Sequence, residues 1–130
     1  MQHDKTLVFY GRINSLELRT RTKAFASLIV RTFIALPKKR EEVAVLGKQM
    51  LRSGTSVAAH AREASRSRSD AELCSKLDGL LQEADETQLW TELLIEDCGI
   101  EDPALKTLHG EADQLMAIFT TIVSKVRKGL

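Results

Sequence analysis

The chain is predicted to be all-α, an antiparallel up-down four-helix bundle, and three observations predict it. Apolar residues recur at steps of three and four along most of its length. Its two prolines, Pro37 and Pro103, fall where such stretches end or begin. No alternating apolar–polar run competes for a strand. A length of 130 residues with 43% hydrophobic content fits one domain with a sizeable core. The bundle is placed at residues 16–130, and residues 1–15 are read as an N-terminal tail or short extension.

The first helix follows from Leu18, Thr22, Phe25, Ile29, Thr32 and Leu36, which alternate by four and three. Pro37 and the basic run Lys38-Lys39-Arg40 close it. The second helix is expected over Glu41–Ser65, with Glu41 and Glu42 favouring its positive N-terminal end. Its inner face begins with Val43, Leu46 and Met50, then turns small: Ser53, Gly54, Ser56, Val57, Ala58, Ala61 and Ala64. A glycine inside a helix costs about 1 kcal/mol relative to alanine. Gly54 is therefore expected to be compensated by the close approach of a neighbouring backbone.

Ser65 to Ser69 interrupts the pattern. Ser69 reads as the N-cap of a third helix, because Asp70 follows and Glu72 occupies the capping-box position. That helix is expected to run from Asp70 to Asp97, with Leu73, Leu77, Leu80, Leu81, Ala84, Leu94 and Ile95 inward and Gly99 terminating it. Asp102 should cap the fourth helix, with Pro103 in its first turn. Leu105, Leu108, Ala112, Leu115, Phe119, Ile122 and Val126 then form an unbroken seam. Short connections between four helices imply the up-down order.

Charge is the most informative pattern for function. Residues 1–69 hold 14 Lys/Arg against 5 Asp/Glu, whereas residues 70–102 hold 1 against 11. The net charge of +1 thus hides a strong asymmetry, which points to complementary surfaces or a face for a polyanion. Lys38, Lys39, Arg40, Arg62, Arg66 and Arg68, together with Arg52, could contact phosphates. Pairing with the acidic third helix is an equally good reading. One Trp and one Tyr supply no interleaved stacking platform for bases. Trp90 reads as a packing anchor, within the bundle or between subunits.

Catalytic patterns are missing. His3, His60 and His109 are scattered, no serine has a nucleophile-elbow context, and no glycine-rich phosphate loop occurs. Di-iron bundles use Glu-x-x-His pairs on two helices. This chain offers a single reversed pair, His60 and Glu63, beside Glu83, Glu86 and Glu111. The expectation is a non-enzyme with no metal and no cofactor. No apolar run approaches the roughly 20 residues that span a bilayer, and Leu7 to Tyr10 is too short for a secretory signal. No membrane contact is expected, the expected compartment is the cytoplasm, and Cys74 and Cys98 are expected to be reduced thiols.

Two segments carry a family resemblance: KQMLRSGTSVAAHAREA, residues 48–64, and SKLDGLLQEADETQLWTELL, residues 75–94. They resemble the bacterial four-helix-bundle proteins first described from intervening sequences in large-subunit ribosomal RNA genes. The likeness runs from about Thr22 onward. Gln49, Arg52, Gly54, Ser56, Glu63, Glu83, Glu86, Thr87 and Trp90 match the family pattern, whereas His60 stands where the family usually has Asn. The resemblance implies a ring-like homopentamer without catalytic activity, in which Arg52, Gly54, Ser56, Glu63, Glu83, Glu86 and Trp90 serve the oligomer interface or packing. A basic second helix and an acidic third helix would suit neighbouring subunits of such a ring. A more distant likeness, to the accessory protein of diversity-generating retroelements, implies RNA or DNA as a partner. It also implies an alternative role as an adaptor for a reverse transcriptase or another protein encoded nearby.

Overall fold

The computed structural model describes residues 15–129; the expected N-terminal tail lies outside them, apart from Ser15. Four α-helices and no strand occur among the described residues: α1 (Ser15–Ala35), α2 (Glu41–Ser65), α3 (Asp70–Glu96) and α4 (Pro103–Arg127). The caps follow the local sequence. Ser69 Oγ accepts the Glu72 N–H at 3.0 Å, and Asp102 Oδ1 accepts the Ala104 N–H at 2.9 Å. Gly99, at φ 70°, takes the left-handed conformation that a helix exit favours. The third helix ends at Glu96, and Asp97 caps it rather than continuing it.

α2 and α3 form the most extensive seam, followed by α1 with α2 and α3 with α4; α1 meets α4 far less. Phe119, Ile29, Met50, Leu73, Leu77, Leu80 and Leu115 are fully buried at the centre. Every expected core position of α1 and α4 is buried. The threonines of α1 are accommodated because Thr22 and Thr32 donate their hydroxyls to the carbonyls of Leu18 and Leu28, four residues back.

α2 and α3 depart from the expected faces. Leu46, Ser56 and Ala58 are half-buried, and Gly47 takes an inner position instead. A Cβ at Gly47 would lie 2.8 Å from Leu36 Cδ1, so this glycine makes room for the end of α1. At Gly54 the neighbour that fills the space is the Ile29 side chain, not a backbone. A Cβ there would stand 2.5 Å from both Ile29 Cδ1 and Cγ1. In α3, Leu81 and Ile95 are half-buried, while the polar Thr87, Gln88 and Thr91 are buried. Their hydrogen bonds explain this: Thr91 donates to the Gln88 carbonyl, and Gln88 Nε2 donates to the His109 carbonyl (3.0 Å) and Asp113 Oδ1 (2.7 Å) on α4.

Candidate nucleic-acid interface

The basic residues of the sequence separate into two groups at opposite ends of α2. Lys38, Lys39 and Arg40 lie in the α1–α2 connection, whereas Arg62, Arg66 and Arg68 lie at the α2–α3 end. The helical rise of about 1.5 Å per residue separates Arg40 from Arg62 by roughly 33 Å. They form no single patch.

The first group is largely engaged in holding the fold. Lys38 Nζ donates to the carbonyls of Phe33 (2.8 Å), Ile34 (3.0 Å) and Leu36 (3.2 Å). These carbonyls lie at the end of α1, where a cation is favoured. The same ammonium stands 4.8 Å from the centre of the Phe33 ring. Arg40 donates to the Cys98 carbonyl at 2.9 Å and to Glu42 at 2.9 Å, tying the connection to the end of α3. Lys39 alone of the three is exposed without a partner among the described residues.

Along α2 the charges meet α3 within the same chain. Arg52 forks between Glu83 (3.0 Å) and Glu86 (3.2 Å). Directly beneath, the hydroxyls of Ser53 and Thr87, both fully buried, lie 2.8 Å apart. Farther along, Glu63 accepts Lys76 at 3.0 Å, and the His60 ring lies against Gly79, whose absent side chain leaves room for the imidazole. Lys76 holds the Glu63 carboxyl below its ordinary value of 4.5, outweighing the opposing effect of desolvation. A carboxyl lowered by folding stabilises above its ordinary value and loses that contribution as pH falls through the lowered one. The pair is well exposed, so its contribution is small. Ser56 donates only to the Arg52 carbonyl of its own helix.

Glu83, Glu86 and Glu111 each have an arginine partner, Glu111 receiving Arg21 of α1 through two bonds of 2.8 and 2.9 Å. The carboxylates weighed above as metal ligands thus join helices to one another. Among the described residues, no group of three His, Cys, Asp or Glu could hold a metal ion. Cys74 and Cys98 are buried and form no disulfide. Trp90 is half-buried against the core, and its indole N–H, shielded from solvent, has no hydrogen-bond partner.

The second basic group is different. Arg62, Arg66 and Arg68 are exposed, and no carboxylate among the described residues pairs with them. Three arginine heads in water beside the serine-rich turn can each present a planar, bidentate donor set to a phosphate. Sequence reasoning had no means of separating them from Arg52, Lys38 and Arg40, whose partners lie on other turns and other helices. It also missed Gly79 and the Ser53–Thr87 pair. A glycine within α3 and a threonine in the polar stretch Thr87-Gln88 were the only signals for those.

No described helix is long and apolar enough to cross a membrane. The family model for the 23S rRNA-intervening sequence protein matches residues 14–121. A crystal structure from Bacteroides thetaiotaomicron, of a protein of unknown function from the S23 ribosomal protein family, is 31% identical. The match covers 81% of this chain and 96% of that one, with a TM-score of 0.73. No curated protein matches the chain.

Proposed function

The chain belongs to the 23S rRNA-intervening sequence protein family, and from that premise we propose a non-catalytic, homo-oligomeric protein that binds nucleic acid, RNA foremost. The observation that carries this reading is the unpaired trio Arg62, Arg66 and Arg68. Arg52 and Arg40, by contrast, are held by partners, Arg52 on α3 and Arg40 on Glu42 and Cys98, which leaves the separate lysines Lys39 and Lys48 exposed near the other end of α2. Uncompensated arginines at one end of a helix favour a polyanion.

The proposed architecture is an antiparallel up-down bundle repeated around a ring. Opposed register supports the antiparallel part: Arg52 pairs with Glu86, His60 lies on Gly79 and Glu63 pairs with Lys76, so α3 descends as α2 ascends. Assembly is supported by exposed apolar side chains, chiefly Leu16 at 69%, Ile34 at 67% and Val45 at 53%, rather than by opposite charges on α2 and α3. Those charges are already paired inside one chain. Light scattering coupled to size exclusion should give the mass of a pentamer of the 14.5 kDa chain. A clean monomer at micromolar concentration would exclude the ring.

The binding itself is tested by changing Arg62, Arg66 and Arg68 together to Glu. Each lost charge-assisted contact is worth about 1.5–3 kcal/mol, so labelled RNA should bind at least about tenfold more weakly to an assembly of unchanged mass. Equal binding by parent and variant would place the phosphate contacts elsewhere.

A further inference from the structure

The seam between α1 and α2 brings a second set of cations beside that trio. Ile29 lies against Gly54 and Leu36 against Gly47, so seven residues forward on α1 match seven back on α2. Continued toward the start of α1, this register sets Thr22 level with Ala61 and Arg19 level with Ala64; Thr22, Ala61 and Ala64 are all buried, as the register requires. Phe33 flanks Gly47, and Ala26 and Arg19 recur at seven-residue steps from Phe33, on the same side of α1. Lys23 is four residues from Arg19 on that side. Arg62 of α2 and Arg66, the residue that caps its C-terminal end, are also four apart, on the flank away from His60, which faces α3.

Facing helices pack about 8–10 Å apart, so the four cations share one stretch of seam. Among the described residues no carboxylate pairs with them. Glu17, the only acid of α1, acts on Arg21 toward α4, and Glu63 is held by Lys76 on α3. Lys23, Arg62 and Arg66 are exposed, and the Nε of half-buried Arg19 is shielded from water without an acceptor. Like charges gathered around an unsatisfied guanidinium N–H favour an external anion.

We infer that the α1–α2 seam, through Arg19, Lys23, Arg62 and Arg66, is the track that the phosphates of an RNA backbone follow. This rests on the nucleic-acid reading above and adds α1 to it. The seam carries no exposed aromatic ring among its described residues, so it grips backbone and not bases.

The probe is unstructured, labelled poly-adenylate RNA titrated onto the full-length protein across a salt series. Arg19→Gln with Lys23→Gln should weaken binding about tenfold or more. The slope of log affinity against log salt should become shallower by about 1.4, at roughly 0.7 per lost single-strand contact. Lys106→Gln, at an exposed position of α4 away from the seam, should leave the affinity unchanged. The exchange Arg19→Lys with Lys23→Arg should retain the slope, which separates loss of charge from loss of fold. Parental binding that survives the Gln pair overturns the seam while leaving the RNA reading standing. Absence of binding by the parent at low salt overturns both.

Discussion

Gly54→Leu is expected to destabilise the chain by more than an ordinary overpacking change, which costs about 1–3 kcal/mol. Even one added carbon would stand 2.5 Å from Ile29 Cδ1 and Cγ1 and 3.0 Å from Cγ2. Ile29 is β-branched, so it has one strongly preferred rotamer in a helix and little freedom to swing aside. It is also fully buried, with no empty space to enter. Gly54→Ala faces the same clash but gains about 1 kcal/mol of helix propensity, so its net loss should reach only about 2 kcal/mol. The decisive comparison is a double-mutant cycle by circular dichroism melts at one protein concentration. Ile29→Ala removes the clashing atoms, so Gly54→Ala should cost less in that background than in the parent. Additive losses, or a Gly54→Leu variant as stable as the parent, would show that Ile29 does not fill the space at Gly54.

Phe119→Ala is expected to cost about 3–5 kcal/mol, the range for removing a buried aromatic ring. Phe119 has no exposed surface and lies in the middle of the α4 seam. Its neighbour Thr120 faces solvent, and Thr120→Ala should stay within about 0.5 kcal/mol of the parent. Total stability of a domain is about 5–15 kcal/mol, so the first change consumes a large part of it. Chemical denaturation would measure both, and equal midpoints for the two variants would contradict the placement of α4.

The helices were legible in the sequence because their signals are local. Ser69, Asp102, Pro103 and Gly99 act within a few residues of themselves, and the structure uses each as its type suggests. The three-four spacing of α1 and α4 also stood out, since nearly every inner residue there is apolar. α3 was harder to read. Thr87, Gln88 and Thr91 are buried because their partners come from Glu83, Ser53, His109, Asp113 and their own helix, and such pairings depend on interhelix register.

The candidate site was legible as a charge imbalance and no further. One stretch of sequence held Arg52, which pairs with two glutamates 31 and 34 residues away, and Arg62, which pairs with none. Lys38 and Arg40 looked like phosphate contacts, yet carbonyl oxygens at helix ends occupy them. The two segments that carry the family resemblance, residues 48–64 and 75–94, were more informative than the charges, because they pointed to the family that residues 14–121 match.

The central claim is that phosphate contacts at the α2–α3 end and its adjoining seam give this protein affinity for RNA. The most direct measurement is the affinity of the intact parental protein for labelled RNA across a salt series. The expected result is a linear fall of log affinity with log salt, at about 0.7 to 0.9 for each phosphate neutralised, with little dependence on RNA sequence. No binding even at low salt, or binding indifferent to salt, would contradict it.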